Sequence, residues 1–130
     1  MKKDKKMTPM EWEIMKVFWK NGKCSVRDVV EELPNEYKRA YTTIQTYIER
    51  LASKGFLSKE KDGKINFYKP ILQEQTAIHQ ETVQLVKRVF NGSFSHLSSY
   101  LVKSGKLSLH EIDELNRLID SYRENNNDIP

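Results

Sequence analysis

The sequence predicts a mainly α protein with one small β-hairpin set between two groups of three helices, and three observations carry that prediction. Apolar residues recur at three- and four-residue steps over most of the 130 residues. The period falls to two only between Phe56 and Lys69, around Asp62-Gly63. The five glycines and four prolines fall almost wholly at the breaks between those runs.

Each element has a local reason. Thr8-Pro9-Met10-Glu11 reads as a helix start, with Thr8 as cap, Pro9 in the first turn and Glu11 placed to close a capping box. Ile14, Met15, Val17, Phe18 and Trp19 follow, and Asn21-Gly22 supplies the stop. Ser25 with Asp28 starts a second short helix through Val29, Val30 and Leu33, which Pro34 ends. After a polar connection, a third helix runs from Ala40 or Tyr41 to Lys54-Gly55, with Ile44, Ile48 and Leu51 as its apolar stripe. Two strands then flank Asp62-Gly63, read as the centre of a type I′ turn, with Ile65 and Phe67 on the half-buried face and Tyr68 left open to either face. Gln73–Phe90 and Phe94–Val102 return to the helical period. A last helix follows Ser108 and Glu111, another capping box, and Glu124–Pro130 reads as a frayed polar end.

The order α-α-α-β-β followed by α-α-α predicts an N-terminal winged helix-turn-helix over residues 1–70 and a C-terminal three-helix dimerisation region over residues 71–130. Three short helices without a sheet cannot bury their own stripes. A homodimer is therefore expected, with Leu85, Val89, Phe90, Phe94, Leu97, Leu101, Leu115 and Leu118 at its interface.

Charge divides along the same line. Residues 1–70 hold 16 Lys and Arg against 10 Asp and Glu, whereas residues 71–130 hold 6 against 8. Only the first half is suited to a polyanion, although Lys2, Lys3, Lys5 and Lys6 at the start contribute part of its excess. Mean hydropathy of −0.71 and the lack of any long apolar run predict no membrane span and no signal peptide. One cysteine, Cys24, excludes an internal disulfide and points to a reduced, cytoplasmic setting.

The third helix carries the functional expectation. With Ile44, Ile48 and Leu51 facing inward, Thr42, Thr43, Gln45 and Thr46 occupy the other faces of its first turns. Hydroxyls and an amide are short neutral groups that suit base edges in a major groove. Lys38, Arg39 and Tyr41 before them, with Arg50 and Lys54 after, are the matching candidates for the DNA backbone. A solvated helix face accounts for the same residues. The hairpin weighs against that reading, since Lys59, Lys61, Lys64 and Lys69 ride on a wing beside the helix, with Lys61 and Lys64 as its backbone contacts. Edge protection against aggregation is the competing account of those lysines.

Other candidates are weaker. Trp12 and Trp19 read as packing residues, and Cys24 beside Lys23 as a redox thiol has no resolving partner. His79, His96 and His110 are far apart in sequence, so no metal and no cofactor is expected. No phosphate-cradling glycine loop or nucleophile motif is present, and the chain does not read as an enzyme. A winged-helix protein–protein adaptor is the alternative, with Tyr41 and Tyr47 as the apolar groups it would use.

These residues closely resemble the penicillinase-repressor family (BlaI/MecI/CopY). The resemblance lies in Met7–Trp19 with its Glu11-Trp12-Glu13, in Ala40–Leu51, Lys54–Leu57 and Val89–Phe94, and in Leu107–Leu115. It implies a dimeric transcriptional repressor that binds dyad-symmetric, A·T-rich operators with TACA/TGTA-like half-sites. It also implies base reading by Thr42, Thr43, Gln45 and Thr46. Two departures stand out. β-Lactam-responsive members are cut by a regulatory protease at an Asn-Phe bond, where this chain has Tyr100-Leu101. Copper-responsive members end in paired Cys-x-Cys motifs, and no cysteine follows Cys24 here.

Overall fold

Thr8 opens the first helix by a reciprocal cap. In the computed structural model, which describes residues 6–127, its hydroxyl accepts the Glu11 N–H at 3.2 Å and the Glu11 carboxylate accepts the Thr8 N–H at 2.9 Å. So begins α1 (Pro9–Asn21). The same device starts α2 (Val26–Glu32) from Ser25 and Asp28, and α6 (Leu109–Asn125) from Ser108 and Glu111. Between them lie α3 (Tyr41–Ser53), α4 (Glu74–Val89) and α5 (Phe94–Lys103). The mainly α expectation holds. Lys2, Lys3 and Lys5 of the basic start, and the last three residues of the polar end, lie outside the described residues; Glu124 and Asn125 still belong to α6.

Three strands form one antiparallel sheet in the order β1-β3-β2: β1 (Cys24–Ser25), β2 (Leu57–Asp62) and β3 (Ile65–Pro70). The two residues of β1, paired to Tyr68 and Phe67, are too few to show alternation in sequence. The hairpin turn differs from expectation by one residue. Asp62 pairs with Ile65, so Gly63 and Lys64 are central, and of these only Gly63 has positive φ, +66°. Glycine at the first central position is the pattern of a type II′ turn, not the type I′ expected around Asp62-Gly63.

The faces of β3 also reverse. Tyr68 is fully buried, whereas Ile65 is 54% exposed and Phe67 half-buried on the opposite side. Tyr68 can take the core position because its hydroxyl finds an acceptor there, the carboxylate of Glu49. Around it, Ile14, Met15 and Phe18 of α1, Val29 of α2 and Ile44, Ile48 and Leu51 of α3 close the winged-helix core.

The chain forms two units, one up to Glu81 and one from Thr82, and the division falls inside α4. The segment after Pro70 is claimed by the first unit through Leu72, which packs on its core and accepts the Trp19 Nε1–H at 2.8 Å. Trp19 also meets Trp12 edge-on at 5.7 Å. In the second unit, Val86 is buried and Leu85, Phe90 and Leu97 are half-buried, with the Phe90 ring against His96 and Tyr100. Val89, Phe94, Leu101, Leu115 and Leu118 are exposed, Leu118 to 67%.

Candidate nucleic-acid interface

Helix α3 puts its chemistry on the side away from the core. At 100° per residue, Thr42 and Thr46 stand opposite the buried Ile44, Ile48 and Leu51 stripe. Gln45 and Glu49 turn toward the hairpin, and Thr43 and Arg50 toward the other flank. Thr42, Thr43 and Thr46 are exposed and Gln45 is half-buried. The Thr46 hydroxyl donates to the Thr42 carbonyl at 3.0 Å, so it faces outward as an acceptor with a methyl beside it. Ala40 makes no side-chain cap at the start of this helix. The result is a neutral polar surface at the N-terminal turns, able to exchange hydrogen bonds without charge.

Glu49 ties this helix to the wing. Its Oε2 accepts from the buried Tyr68 hydroxyl and from Lys59 Nζ at 3.0 Å. The Tyr68 bond, more than Lys59, holds the Glu49 carboxyl below the usual glutamate range against the opposing effect of its partial burial. Burial first, and then the Glu49 carboxylate, push the Tyr68 phenol well above its ordinary value. The wing is thus anchored to α3 by a charged hydrogen bond from inside the core.

The cations expected along the DNA backbone fall into two groups. Lys61 and Lys64 are exposed at the end of the wing and, among the described residues, neither has an ion-pair partner. Arg50 is exposed and stacks over the Tyr47 ring at 5.4 Å. Lys38 donates to the Val30 and Glu31 carbonyls at 2.8 and 3.0 Å, satisfying the last turn of α2, and Arg39 donates to the Glu36 and Lys38 carbonyls. Lys54 turns inward: its ammonium lies 3.0 and 3.1 Å from the two oxygens of Glu11, which is fully buried. That pair closes the start of α1 on the end of α3 and withdraws Lys54 from the outer surface.

Two residues that sequence reading missed lie beside this face. Arg27 of α2 stacks over Tyr41 at 5.9 Å, and with Asn66 of β3 it borders a groove of about 360 Å³ shared by Gln45 and Lys64. Arg27 sits in an ordinary helical run, so nothing local in sequence marks it. A second cleft, of about 440 Å³, is lined by Cys24, Asp28, Glu31 and Glu32 with Lys23. Burial, with Asp28 and Glu32 adding to it, pushes the Cys24 thiol up to about 11, which leaves on the order of 10⁻⁴ of it as reactive thiolate at neutral pH. This is not the profile of a redox sensor.

Residues 7–121 match the family model described as Penicillinase repressor. The penicillinase repressor of Bacillus licheniformis is 30% identical over 123 residues, covering 95% of this chain and 96% of that protein. The methicillin resistance regulatory protein MecI of Staphylococcus aureus is 31% identical over 110 residues, covering 85% of this chain and 89% of that protein. Among solved structures, the solution structure of the DNA binding domain of the repressor BlaI matches at 36% identity with a TM-score of 0.50, over 58% of this chain and 93% of that one.

Proposed function

Because the chain belongs to the penicillinase-repressor family, we propose that it is a homodimeric transcriptional repressor that occupies a dyad-symmetric operator and so blocks a promoter. Each subunit sets the N-terminal turns of α3 into the major groove, where Thr42, Thr43, Gln45 and Thr46 read base edges. Lys61 and Lys64 of the wing, with Tyr41, Arg39 and Arg50, hold flanking phosphates; Lys38 has one ammonium proton left for that task after capping α2. Lys54 takes no part. Such a protein works in the cytoplasm, needs no cofactor and catalyses no reaction.

The observation that carries the reading is the outer face of α3, where hydroxyl and amide groups stand opposite a fully buried stripe and beside a cationic wing. The dimer is supported by the apolar side chains that α5 and α6 leave in water within one subunit, among them Leu101, Leu115, Leu118 and Tyr122. Two copies joined there hold the reading helices apart by about one turn of duplex or a multiple of it. Tyr100-Leu101 lies inside α5, so a regulatory protease acting at that bond would have to unwind the helix first.

Binding to an inverted repeat of TACA/TGTA half-sites, compared with the scrambled duplex and titrated with salt, tests the proposal. A repressor prefers the repeat and loses affinity steeply with salt. A protein–protein adaptor would bind neither duplex appreciably, and that result would exclude the reading.

A further inference from the structure

Thr42, Thr46 and Glu49 repeat, two residues earlier in α3, the i, i+4, i+7 spacing of the buried Ile44, Ile48 and Leu51. Two residues turn an α-helix by about 200°, so this polar stripe stands almost opposite the apolar one. Glu49 is therefore the third member of the outward stripe, about one turn beyond Thr46. Its side chain is 43% exposed, although its Oε2 accepts from both the Tyr68 hydroxyl and Lys59 Nζ. Among the described residues, no hydrogen bond reaches Oε1. The two bonds to Oε2 hold the carboxyl group in place and keep it ionised. The Lys59 ammonium, 3.0 Å away, offsets a charge that phosphates would otherwise repel. What is left free is an acceptor-only oxygen on the reading side of the helix. In a major groove, guanine and thymine present acceptors, and adenine sets its N6 donor beside the N7 acceptor. Cytosine presents its N4 amino donor alone, and it is the base that a carboxylate suits.

We infer that Glu49 is a specificity-determining residue, its Oε1 accepting the N4 amino proton of one cytosine in each half-site. The inference rests on the function proposed above and deepens it. It extends base reading from the first two turns of α3 to the third, and adds an ionised acceptor to the neutral hydroxyls and amide.

The experiment titrates the full chain by fluorescence anisotropy against the inverted repeat of TACA/TGTA half-sites and the scrambled duplex. Further duplexes replace each base pair of the half-sites and their flanks in turn, symmetrically in both halves. A last set carries N4-methylcytosine at each cytosine, which keeps the base pair but puts a methyl where the groove-facing amino proton was. At one position the wild type should lose about 10-fold in affinity per half-site on N4-methylation, the lower end of what a base contact gives. Glu49→Ala should bind the methylated and unmethylated operators alike at that position, with its other base preferences kept. Glu49→Gln leaves Tyr68 an acceptor, so it keeps the test open should Glu49→Ala fail to fold. Its amide both donates and accepts, so the preference at that position should move from cytosine toward adenine. A loss that is the same on every duplex in both variants would make Glu49 an anchor of the wing and nothing more. If the wild type prefers the operator but no cytosine responds to methylation, or the response survives in Glu49→Ala, the inference is overturned and the repressor reading stands. A wild type that binds operator and scrambled duplex alike, or binds neither, overturns both.

Discussion

An ammonium held 3.0 Å from a fully buried carboxylate is not available to a phosphate, and Lys54 is in that position. Lys54→Ala would strand the Glu11 charge in the core, which should cost about 3 kcal/mol in urea unfolding while leaving the salt slope of DNA binding unchanged. Lys61→Ala should do the reverse: no loss of fold stability, and a slope lower by about one for each bound subunit. Thr43→Ala and Gln45→Ala should each weaken operator binding by roughly 1–3 kcal/mol and relax one base preference, as read from affinities on single-base operator variants. At this scale the sequence showed residue types and not their partners. Lys54 and Lys61 look alike in it, because Glu11 lies 43 positions from Lys54.

At the scale of elements, the pairing of α3 with the wing turns on Glu49 and Tyr68. Tyr68→Phe should cost about 1.5 kcal/mol near neutral pH, because the hydrogen bond it removes is to a charged group. The pH dependence has two limbs. The raised Tyr68 pKa means the unfolded chain releases that proton first, so wild-type stability falls as pH rises above about 10, the ordinary tyrosine value. The lowered Glu49 pKa means the unfolded chain binds a proton first on acidification, so stability falls as pH drops below the ordinary glutamate value of 4.5. Urea unfolding across pH should show both limbs flattened in Tyr68→Phe; an unchanged alkaline limb would refute the role given to Tyr68. The helices at this scale were legible because each capping box is closed within four residues, at Thr8, Ser25 and Ser108. The hairpin was legible as a hairpin but shifted by one residue, since Asp-Gly and Gly-Lys both offer a glycine and only the pairing of Asp62 with Ile65 chooses between them.

For the whole molecule, the function proposed above needs two copies. Leu118 is 67% exposed in one subunit, on a helix that buries none of its residues there. Leu118→Glu would place a charge in the apolar contact and should weaken the dimer by about 2 kcal/mol or more, roughly 30-fold in Kd. Sedimentation should then show monomer at concentrations where the wild type is dimeric, and operator affinity should fall with it while the winged helix keeps its fold. A monomeric wild type would remove the basis for half-site spacing altogether.

What the sequence determined by itself is whatever depends on neighbours a few residues apart: the helices, the capping boxes of three of them, one hairpin, and a third helix with Thr42, Thr43, Gln45 and Thr46 on faces other than its buried stripe. Whether Tyr68 or Phe67 enters the core, whether Lys54 faces water, where the chain divides and that Arg27 borders the same groove as Lys64 were decided only in three dimensions. The physical reason is range. Periodicity and capping act along one turn of chain, whereas a buried ion pair, a phenol seeking an acceptor and a groove between helix and wing are settled by groups that only folding brings within reach.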